Sequence, residues 1–386
     1  MLNTIQTLLQ ADNQDVSPIN VMSLMSLNTT NPAADPMDAG VSTPQGVHVS
    51  TPTSTQLSGL MSTDLQELLN LITFIVIQAV ILFPGIFLNA LNIYVFLRVG
   101  LGDTVAVSFF ALSLTDMGCL IIAAYNWLCY TLYRLPGGWS VDMFSLMYLG
   151  VWYFQAVYDV SMLITTYTAV QKCCCITSPL HFKSVFTKTR TKIIITIFWA
   201  FCIASYAPLL ATQGLQKTFN SKTNSSIYTI WFAANREEIV GANDIIVRII
   251  LQNACEAIVI TCLFILIYSL RRQSQFRHSA SVQSFSSGSQ FSSRDALNKI
   301  SAKELQVIKS VTLVSTIFVT CNFPRIVLSV ARTVVPEMDT FRRYHNIHLT
   351  LQMIRRVIEV SGASGNFIIY YRFNTRFKDV VSSIFT

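Results

Sequence analysis

The sequence predicts an all-α membrane protein, a seven-transmembrane helix bundle followed by a short C-terminal membrane-surface helix. Three observations lead to this prediction. Only 12% of the 386 residues are charged, about half the ~25% that is typical of soluble domains. The mean hydropathy is high, at +0.49. Apolar runs recur along the chain, each of about 20 residues or more and therefore long enough to cross a hydrocarbon core of about 30 Å.

Seven apolar runs are the predicted spans, and together they define a membrane domain over 68–371. They cover about 68–98, 104–132, 143–176, 190–213, 245–270, 305–334 and 346–371. One such run is compatible with a buried helix of a soluble protein, but seven on one chain indicate a polytopic membrane protein. The seventh run is the least apolar, because Arg355, Arg356 and Glu359 lie inside it.

The distribution of Lys and Arg predicts a multi-pass plasma-membrane protein whose N-terminus is extracellular. Residues 1–67 contain neither Lys nor Arg, whereas basic clusters occur at 183–192, 271–303 and 372–378. Since Lys and Arg accumulate in cytoplasmic loops, these clusters belong to two inner loops and an inner tail. The net charge of +7 therefore reflects membrane topology, and no nucleic-acid partner is expected.

Three polar segments lie outside the predicted spans. Residues 1–67 are expected to be a disordered extracellular segment, because they bury too little apolar surface to offset chain entropy. The Ser-rich loop 271–304 is predicted to be disordered and open to protein kinases, whose phosphate would add negative charge; a passive linker explains it equally well. Residues 372–386 form a predicted cytoplasmic amphipathic helix and tail, anchored by Phe377.

Two Asn residues are candidate glycosylation sites. Asn28 begins the sequon NTT and Asn224 begins the sequon NSS. Both sequons fall on segments that the predicted topology places outside the cell, which is where such sites are used.

The nine cysteines all lie within predicted spans, and three of them are consecutive at 173–175. Consecutive residues on a helix point about 100° apart, so these three thiols cannot converge on one ion. Zinc sites instead use spaced pairs of ligands. We therefore expect the cysteines to be small apolar fillers, with no metal site and no disulfide.

Ionisable residues inside the predicted spans are candidate functional residues, because a charge at membrane depth must pair with another group, with water or with a ligand. One is Asp116, for which a structural hydrogen-bonding role is the alternative. Five more lie at outer or middle depth: Asp159, Glu256, Arg325, Arg356 and Glu359. They predict either internal ion pairs or a pocket for a zwitterionic or charged ligand, lined by Phe154, Tyr158 and Phe323.

Four sequence motifs lie in order on the predicted spans. The first span carries GIFLN, the second LSLTD, the sixth FVTCNFP and the seventh NFIIYYRFNTRF. In this order they resemble the motifs of the rhodopsin-like (class A, family 1) G-protein-coupled receptors, over about 68–385. The resemblance implies a set of transmission residues: Asn89, Asp116, Lys172, Tyr268, Glu304, Phe318, Pro324, Asn366 and Tyr370. It also implies a sodium ion near Asp116, Ser161 and Asn366.

The chain departs from the pattern of that family at several positions. Gln171 and Lys172 stand where the family has an acid followed by Arg, and Asn322 replaces a Trp of the family. The disulfide of the family is not expected here, because Met147 occupies the position of its first Cys and 209–245 contains no Cys. Divergent invertebrate chemosensory or orphan-type receptors resemble this pattern best.

The resemblance implies receptor activity, in which an extracellular ligand biases two helix packings and one of these packings binds a G protein. The implied partners are a heterotrimeric G protein, a small-molecule or peptide ligand, membrane lipids, receptor kinases and arrestin; no cofactor is expected. Two ligand classes do not fit. No Lys occurs in 346–371 to form a retinal Schiff base, and Phe154 stands where amine receptors carry Asp.

Lys172 and Glu304 are a candidate latch for the resting state. Glu304 lies twenty residues before Pro324, about 30 Å along a helix, which places it level with Lys172 at the cytoplasmic end. The family joins an Arg and an acid at these two places. A Lys172–Glu304 pair would be weaker because it lacks the bidentate fork of Arg, and two solvated charges are the alternative.

A transporter or channel is the alternative function. It would predict internal repeats and helices broken by Gly or Pro in matching halves, and the sequence has neither. An enzyme is not expected, because no His-rich or carboxylate cluster has catalytic spacing.

Overall fold

The structure is a computed structural model in which most of the chain after residue 60 is described. The described residues are 61–135, 137–177, 182, 184–220, 225–283, 312–328, 330–331, 334–335, 337–338 and 343–385. They are mostly helical, which confirms that part of the prediction. The predicted latch residue Glu304 and the sequon residues Asn28 and Asn224 lie outside the described residues.

Eight helices make up most of the described chain, and each predicted span contains one of them. They are α1 (Thr63–Val99), α2 (Thr104–Arg134), α3 (Met143–Thr177), α4 (Lys188–Ala211), α5 (Arg236–Asn243, Asp244–Leu251 and Gln252–Gln283 in succession), α6 (Thr312–Leu328), α7 (His345–Phe373) and α8 (Thr375–Phe385). Two stretches are π-helical, Leu71–Ile77 within α1 and Asp244–Leu251 within α5.

Two segments predicted to be disordered are partly helical. α1 begins at Thr63, before the predicted start of the first span, because the side chain of Ser62 accepts a hydrogen bond from the nitrogen of Leu65 and caps the helix. α5 continues to Gln283, inside the predicted loop 271–304, where Arg and Gln are good helix formers.

Side-chain caps and one glycine set the other helix ends. α1 ends at Gly100, whose φ of 85° lies in the left-handed region that glycine adopts without steric cost. α2 follows at once, because Asp103 accepts a hydrogen bond from the nitrogen of Ala106 across 2.7 Å. A four-residue connection therefore turns the chain back, and α1 and α2 pack as antiparallel neighbours.

Four helices, α1, α2, α4 and α5, are long and apolar enough to cross a membrane. The described part of α6 is apolar but shorter. α3 and α7 are long but carry many polar residues, and most of these polar side chains are buried among the other helices. By length and hydropathy, the chain thus has the features of a multi-span membrane protein.

α3 lies at the centre of the helix packing. It packs against α2, α4 and α5, while α7 packs against α1 and α2. The largest hydrophobic cluster among the described residues has members on all eight helices, including Phe96, Leu112, Ile164, Leu266 and Tyr370. Between helices in a membrane, such apolar side chains contribute through close van der Waals packing, because lipid tails are as apolar as they are.

A β-hairpin follows α4, in a region for which the sequence analysis predicted no strands. β1 (Gln213–Asn220) and β2 (Ser225–Phe232) pair antiparallel, with Gln213 opposite Phe232. The hairpin also pairs with the chain before α3, because Tyr228 exchanges backbone hydrogen bonds of 2.9 Å with Ser140 and Asp142. We call the end of the bundle that carries this hairpin the hairpin end, and the opposite end the far end.

α8 packs across the far end of α1 and α7. Phe377, predicted to be an apolar anchor, is fully buried. Its ring lies 5.4 Å from that of Phe96, 5.9 Å from Tyr370 and 5.8 Å from Phe367, measured between centroids. The short C-terminal helix is therefore docked through an aromatic cluster.

Candidate functional site

The Asp116 network joins three helices in the middle of the bundle. Asp116 on α2 is 2% exposed. Its Oδ1 accepts a hydrogen bond from the hydroxyl of Ser161 on α3, across 2.8 Å, and its Oδ2 accepts one from Nδ2 of Asn366 on α7, across 2.7 Å. Both carboxylate oxygens are thus satisfied, as buried polar groups require.

α1 is tied to the same region through Asn89. Its side-chain nitrogen donates to the carbonyl oxygens of Gly85, across 3.0 Å, and Ala363 on α7, across 2.9 Å. Glycine is required at Gly85 because a Cβ there would lie only 2.8 Å from the Cβ of Ser364. The backbones of α1 and α7 therefore approach closely enough for Asn89 to bridge them.

The sodium ion implied by the resemblance is compatible with these residues. A cavity of about 30 Å³ is lined by Asp116, Ser161 and Asn366, and this volume exceeds the ~10–15 Å³ that one water molecule needs. A hard cation takes oxygen ligands, which the carboxylate of Asp116 and the hydroxyl of Ser161 offer. Asn366 turns its amide nitrogen toward Asp116, so water would complete the ligand set.

A second group of buried polar side chains lies closer to the hairpin end, and we call it the charged cluster. It consists of Asp159 on α3, Arg325 on α6, and Arg355, Arg356 and Glu359 on α7. Both carboxylates are fully buried, and Arg325 and Arg356 are each 8% exposed. Charges in such surroundings are tolerated only when they are paired.

Asp159 is held by three other helix positions. Gln155, one turn earlier on α3, donates to its Oδ1 across 3.0 Å, and the hydroxyl of Tyr206 on α4 donates to its Oδ2 across 2.6 Å. Nη1 of Arg325 lies 3.7 Å from Oδ1. Asp159 thereby links α3 to α4 by a hydrogen bond and to α6 by an ion pair.

Glu359 pairs with two arginines of its own helix. Nη1 of Arg355, one turn earlier, donates to Oε1, and Nη1 of Arg356 lies 3.8 Å from Oε2. The guanidinium of Arg356 also lies 3.7 Å from the centroid of the Phe154 ring on α3, a cation–π contact. α7 is thus connected to α3 at the level of this cluster.

Tyr158 connects the two groups of polar residues. Its ring stacks on that of Phe154 with 5.8 Å between centroids, and its hydroxyl donates to Oδ1 of Asn322 on α6 across 3.0 Å. Tyr158 and Asn322 also line the cavity beside Asp116. Asn322, which replaces a Trp of the family that the sequence resembles, therefore forms a polar contact between α3 and α6.

Glu256 on α5 is buried without a hydrogen-bond partner. It is 2% exposed, and neither of its carboxyl oxygens has a partner among the described residues. Its neighbours Cys255 and Val259 belong to the largest hydrophobic cluster. A buried carboxyl in this state is costly, which singles it out from the other acids.

At the far end of α3, Gln171 takes a structural role. It is fully buried, it accepts a hydrogen bond from Ser108 on α2 across 3.1 Å, and it donates one to Thr191 on α4 across 3.2 Å. Lys172 is 8% exposed. The next residue, Cys173, donates from its thiol to the carbonyl of Cys262 on α5.

Two predicted residues face away from the interior. Phe323, predicted to line the pocket, is 61% exposed, because the helical period that points Asn322 and Arg325 inward turns Phe323 outward. Tyr268 is 68% exposed on α5 and takes no part in these networks. Phe318 and Pro324 are half-buried on α6, and Tyr370 is buried at the far end of α7.

The sequence-based prediction missed several partners of the buried charges, namely Gln155 and Tyr206 on Asp159 and Arg355 on Glu359. Gln155 and Asp159 are four residues apart, a spacing that places both on one face of a helix and that was available as a signal. Tyr206 has no such signal, because its contact with Asp159 depends on how α4 packs against α3.

All nine cysteines are described, and none forms a disulfide. Among the residues that the structure describes, no group of three or more His, Cys, Asp or Glu side chains is placed to hold a metal ion. The arrangement is that of a buried polar core linking helices, with no nucleophile–base pair in the interactions described above.

Comparisons with known proteins give no identification. No family model matches the chain, and no curated protein is significantly similar to it.

Proposed function

We propose that the chain is a seven-transmembrane receptor of the plasma membrane that activates a heterotrimeric G protein when a ligand binds from outside. The observation that carries this proposal is the Asp116 network. An acid buried in mid-bundle and bonded to two other helices does no chemistry by itself, but it couples the positions of α2, α3 and α7. Such coupling is what a protein that changes helix packing requires.

The burial of polar residues supports seven spans rather than four. In a lipid environment, polar side chains of a spanning helix must face the bundle interior. On α3 and α7 they do, since Gln155, Asp159, Glu359 and Asn366 are all 6% exposed or less. Low hydropathy is thus compatible with membrane insertion of these two helices, and the Lys and Arg distribution supports an N-terminus outside the cell.

The route of a signal follows from contacts along α3. A ligand near the charged cluster would alter the Asp159–Arg325 pair and the Tyr158–Asn322 hydrogen bond, both of which join α3 to α6. Movement of α6 against α3 would then change the far end, where Lys172 lies. A ligand shifts such an equilibrium only by as much as it prefers one packing over the other.

The resemblance of the sequence motifs to those of rhodopsin-like G-protein-coupled receptors supports a heterotrimeric G protein as the partner. The far end of the bundle, with the basic segments predicted to be cytoplasmic, would receive the G protein, and receptor kinases and arrestin would act on the same side. Lys172 is the proposed transmission residue there, with Glu304 as its partner in the resting state. The ligand is a small molecule or a peptide.

A screen of compounds on cells that express the full chain together with a promiscuous G protein tests this proposal. The expected result is a compound that raises second messenger only in cells carrying both proteins. An Asp116→Asn variant that reaches the surface should respond differently from the wild-type chain. Substrate flux or ionic current that does not depend on the G protein would contradict the proposal and favour a transporter or channel.

A further inference from the structure

Two buried thiols meet between α3 and α5 near the far end of the bundle. Cys173 on α3 is 6% exposed, and Cys262 on α5 is 7% exposed. The thiol of Cys173 donates a hydrogen bond to the carbonyl oxygen of Cys262 across 3.3 Å, and the two thiol groups also interact with each other. A disulfide forms only between cysteines whose side chains approach one another closely, and this pair meets that requirement.

The pair lies in a packed helix interface. Both cysteines belong to the largest hydrophobic cluster among the described residues, and α3 packs directly against α5. The hydroxyl of Thr177 donates to the carbonyl oxygen of Cys173 across 2.9 Å, which reinforces the last turn of α3. The approach of the two thiols is therefore fixed by helix packing and does not depend on a loop.

The neighbouring cysteines of α3 differ from this pair. Cys174 and Cys175 are half-buried, and consecutive side chains on a helix point about 100° apart, so neither shares the direction of Cys173. Their partial exposure shows that the region beside the pair is not sealed from solvent. Because burial protects thiols from most reagents, an oxidant of the pair must be small and uncharged, as hydrogen peroxide is.

We propose that Cys173 and Cys262 are a site of reversible oxidation, at which hydrogen peroxide forms a disulfide that links α3 to α5. Two S–H bonds and the O–O bond break, one S–S bond and two O–H bonds form, and two water molecules leave. The two sulfurs together lose two electrons, which reduce the peroxide oxygens. Two equivalents of a small-molecule thiol reverse the step by exchange and are themselves joined in a disulfide.

The disulfide would fix the two helices beside Lys172. It would join residues that are 89 positions apart in the chain, and a cross-link that closes a long loop restricts the unfolded chain strongly. It would also prevent α3 and α5 from separating at this level. Its effect on signalling rests on the proposed receptor function, in which Lys172 is the transmission residue, whereas formation of the bond does not.

Peptide mass spectrometry of the full chain, purified in detergent, tests the inference. The protein is treated with hydrogen peroxide, the remaining thiols are blocked with a maleimide, and trypsin is added. Because trypsin cleaves after Lys and Arg, a disulfide between α3 and α5 joins peptides 173–183 and 249–271. We expect this joined peptide after oxidation, its loss after reduction, and none of it in untreated protein.

Single variants assign the sulfurs, because each of the two peptides contains more than one cysteine. Cys173→Ser and Cys262→Ser should each abolish the joined peptide. Cys174→Ser and Cys255→Ser, in the same two peptides, are matched controls that should retain it. If a variant does not fold, fragmentation of the joined wild-type peptide identifies the two linked cysteines.

Thermal unfolding provides a second readout on the same samples. Oxidation should raise the unfolding midpoint of the wild-type chain by about 4 °C or more, and Cys262→Ser should lose this rise while Cys255→Ser keeps it. A joined peptide without any rise in the midpoint would show that the bond does not hold the two helices in the folded packing, and it would overturn the inference.

The inference is also overturned if peroxide yields no joined peptide from folded protein, if the bond forms within 173–175, or if Cys255 is the partner in place of Cys262. None of these measurements involves a G protein, so such results leave the proposed function standing. A chain that forms the expected bond but carries substrate or current without a G protein would retain this inference and lose the proposed function.

Discussion

Asn366 donates a hydrogen bond to Oδ2 of Asp116 across 2.7 Å, although 250 positions separate the two residues in the sequence. Since Ser161 occupies the other carboxylate oxygen, the position of α7 is fixed relative to α2 and α3 by one acid. The proposed coupling between helix positions depends on that arrangement.

Asn366→Ala should destabilise the protein more than Ser364→Ala does. The first change leaves Oδ2 of buried Asp116 without its donor, at a cost of about 1–3 kcal/mol. The second removes only a hydroxyl that bonds to the carbonyl of Val360 in its own helix. Thermal unfolding of the purified chain in detergent measures the stability of both variants. Equal losses of stability would show that the hydrogen bond from Asn366 to Asp116 stabilises the protein no more than the hydroxyl of Ser364 does.

Gly85→Ala should force α1 and α7 apart, because the new methyl would overlap Ser364. Overpacking of this kind costs about 1–3 kcal/mol. Gly365→Ala is the matched control, since nothing lies within 4 Å of its Cβ position, and it should be neutral or slightly stabilising. The double change Gly85→Ala with Ser364→Gly should recover stability, and no recovery would argue against the close contact.

Arg236 should stabilise the packing of the hairpin against the helices. It is 6% exposed, donates to Oγ1 of Thr212 across 2.9 Å, and lies 4.7 Å from the ring centroid of Phe232 and 5.6 Å from that of Trp152. Arg236→Ala should cost about 2 kcal/mol or more, given desolvated cation–π contacts and lost hydrogen bonds.

Arg236→Lys should recover little of that stability, because a lysine lacks the planar fork. Arg98→Ala is the control, since Arg98 contacts Tyr94 in the same manner but on an exposed surface. Hydrogen exchange of the hairpin amides, combined with the unfolding midpoint, reports both effects. Full recovery by Lys would show that charge alone matters.

Reducing agent should leave folding and surface expression unchanged. All nine cysteines are unpaired, and the hairpin is held to the start of α3 by backbone hydrogen bonds at Tyr228 and by Ser145, whose hydroxyl accepts from the nitrogen of Ile230 across 3.0 Å. Mild dithiothreitol treatment of intact cells measures this. Loss of surface protein that is absent in a Cys129→Ser control would indicate a disulfide.

Epitopes at the two termini should be reached from opposite sides of the membrane. An N-terminal tag should bind antibody on intact cells, and a C-terminal tag only after permeabilisation, because the seven proposed spans and the positions of the basic segments imply this topology. Tags accessible on the same side would contradict an odd number of spans.

Most of the helical framework was predictable from the sequence because apolar runs and helix caps are local signals. Thr63–Val99 and Thr104–Arg134 match two predicted spans to within a few residues. The candidate charged residues inside the bundle could also be identified from the sequence, because Asp159, Arg325 and Glu359 stand out in apolar surroundings.

What could not be predicted depends on how helices turn about their axes and pack. Phe323 was placed in the pocket by composition, but the rotation of α6 puts it outside. Tyr206 gives no hint in the sequence that it reaches Asp159. The hairpin is a different case, because SSIYTIWF is rich in β-branched and aromatic residues and follows a short polar stretch of sequence. This strand signal was available in the sequence.

Nucleotide exchange on purified heterotrimeric G proteins tests most directly whether the chain activates a G protein. The assay uses the full chain in lipid nanodiscs and the active compounds from the screen. We expect the wild-type chain to accelerate exchange on at least one class of G protein. Lys172→Ala should abolish this while binding the compound normally, because Lys172 lies at the far end of α3. Glu304→Ala should raise exchange without any compound, and Ser in place of Cys173, Cys174 or Cys175 should change little. No acceleration on any class, or coupling that survives Lys172→Ala and fails in a cysteine variant, would contradict the account.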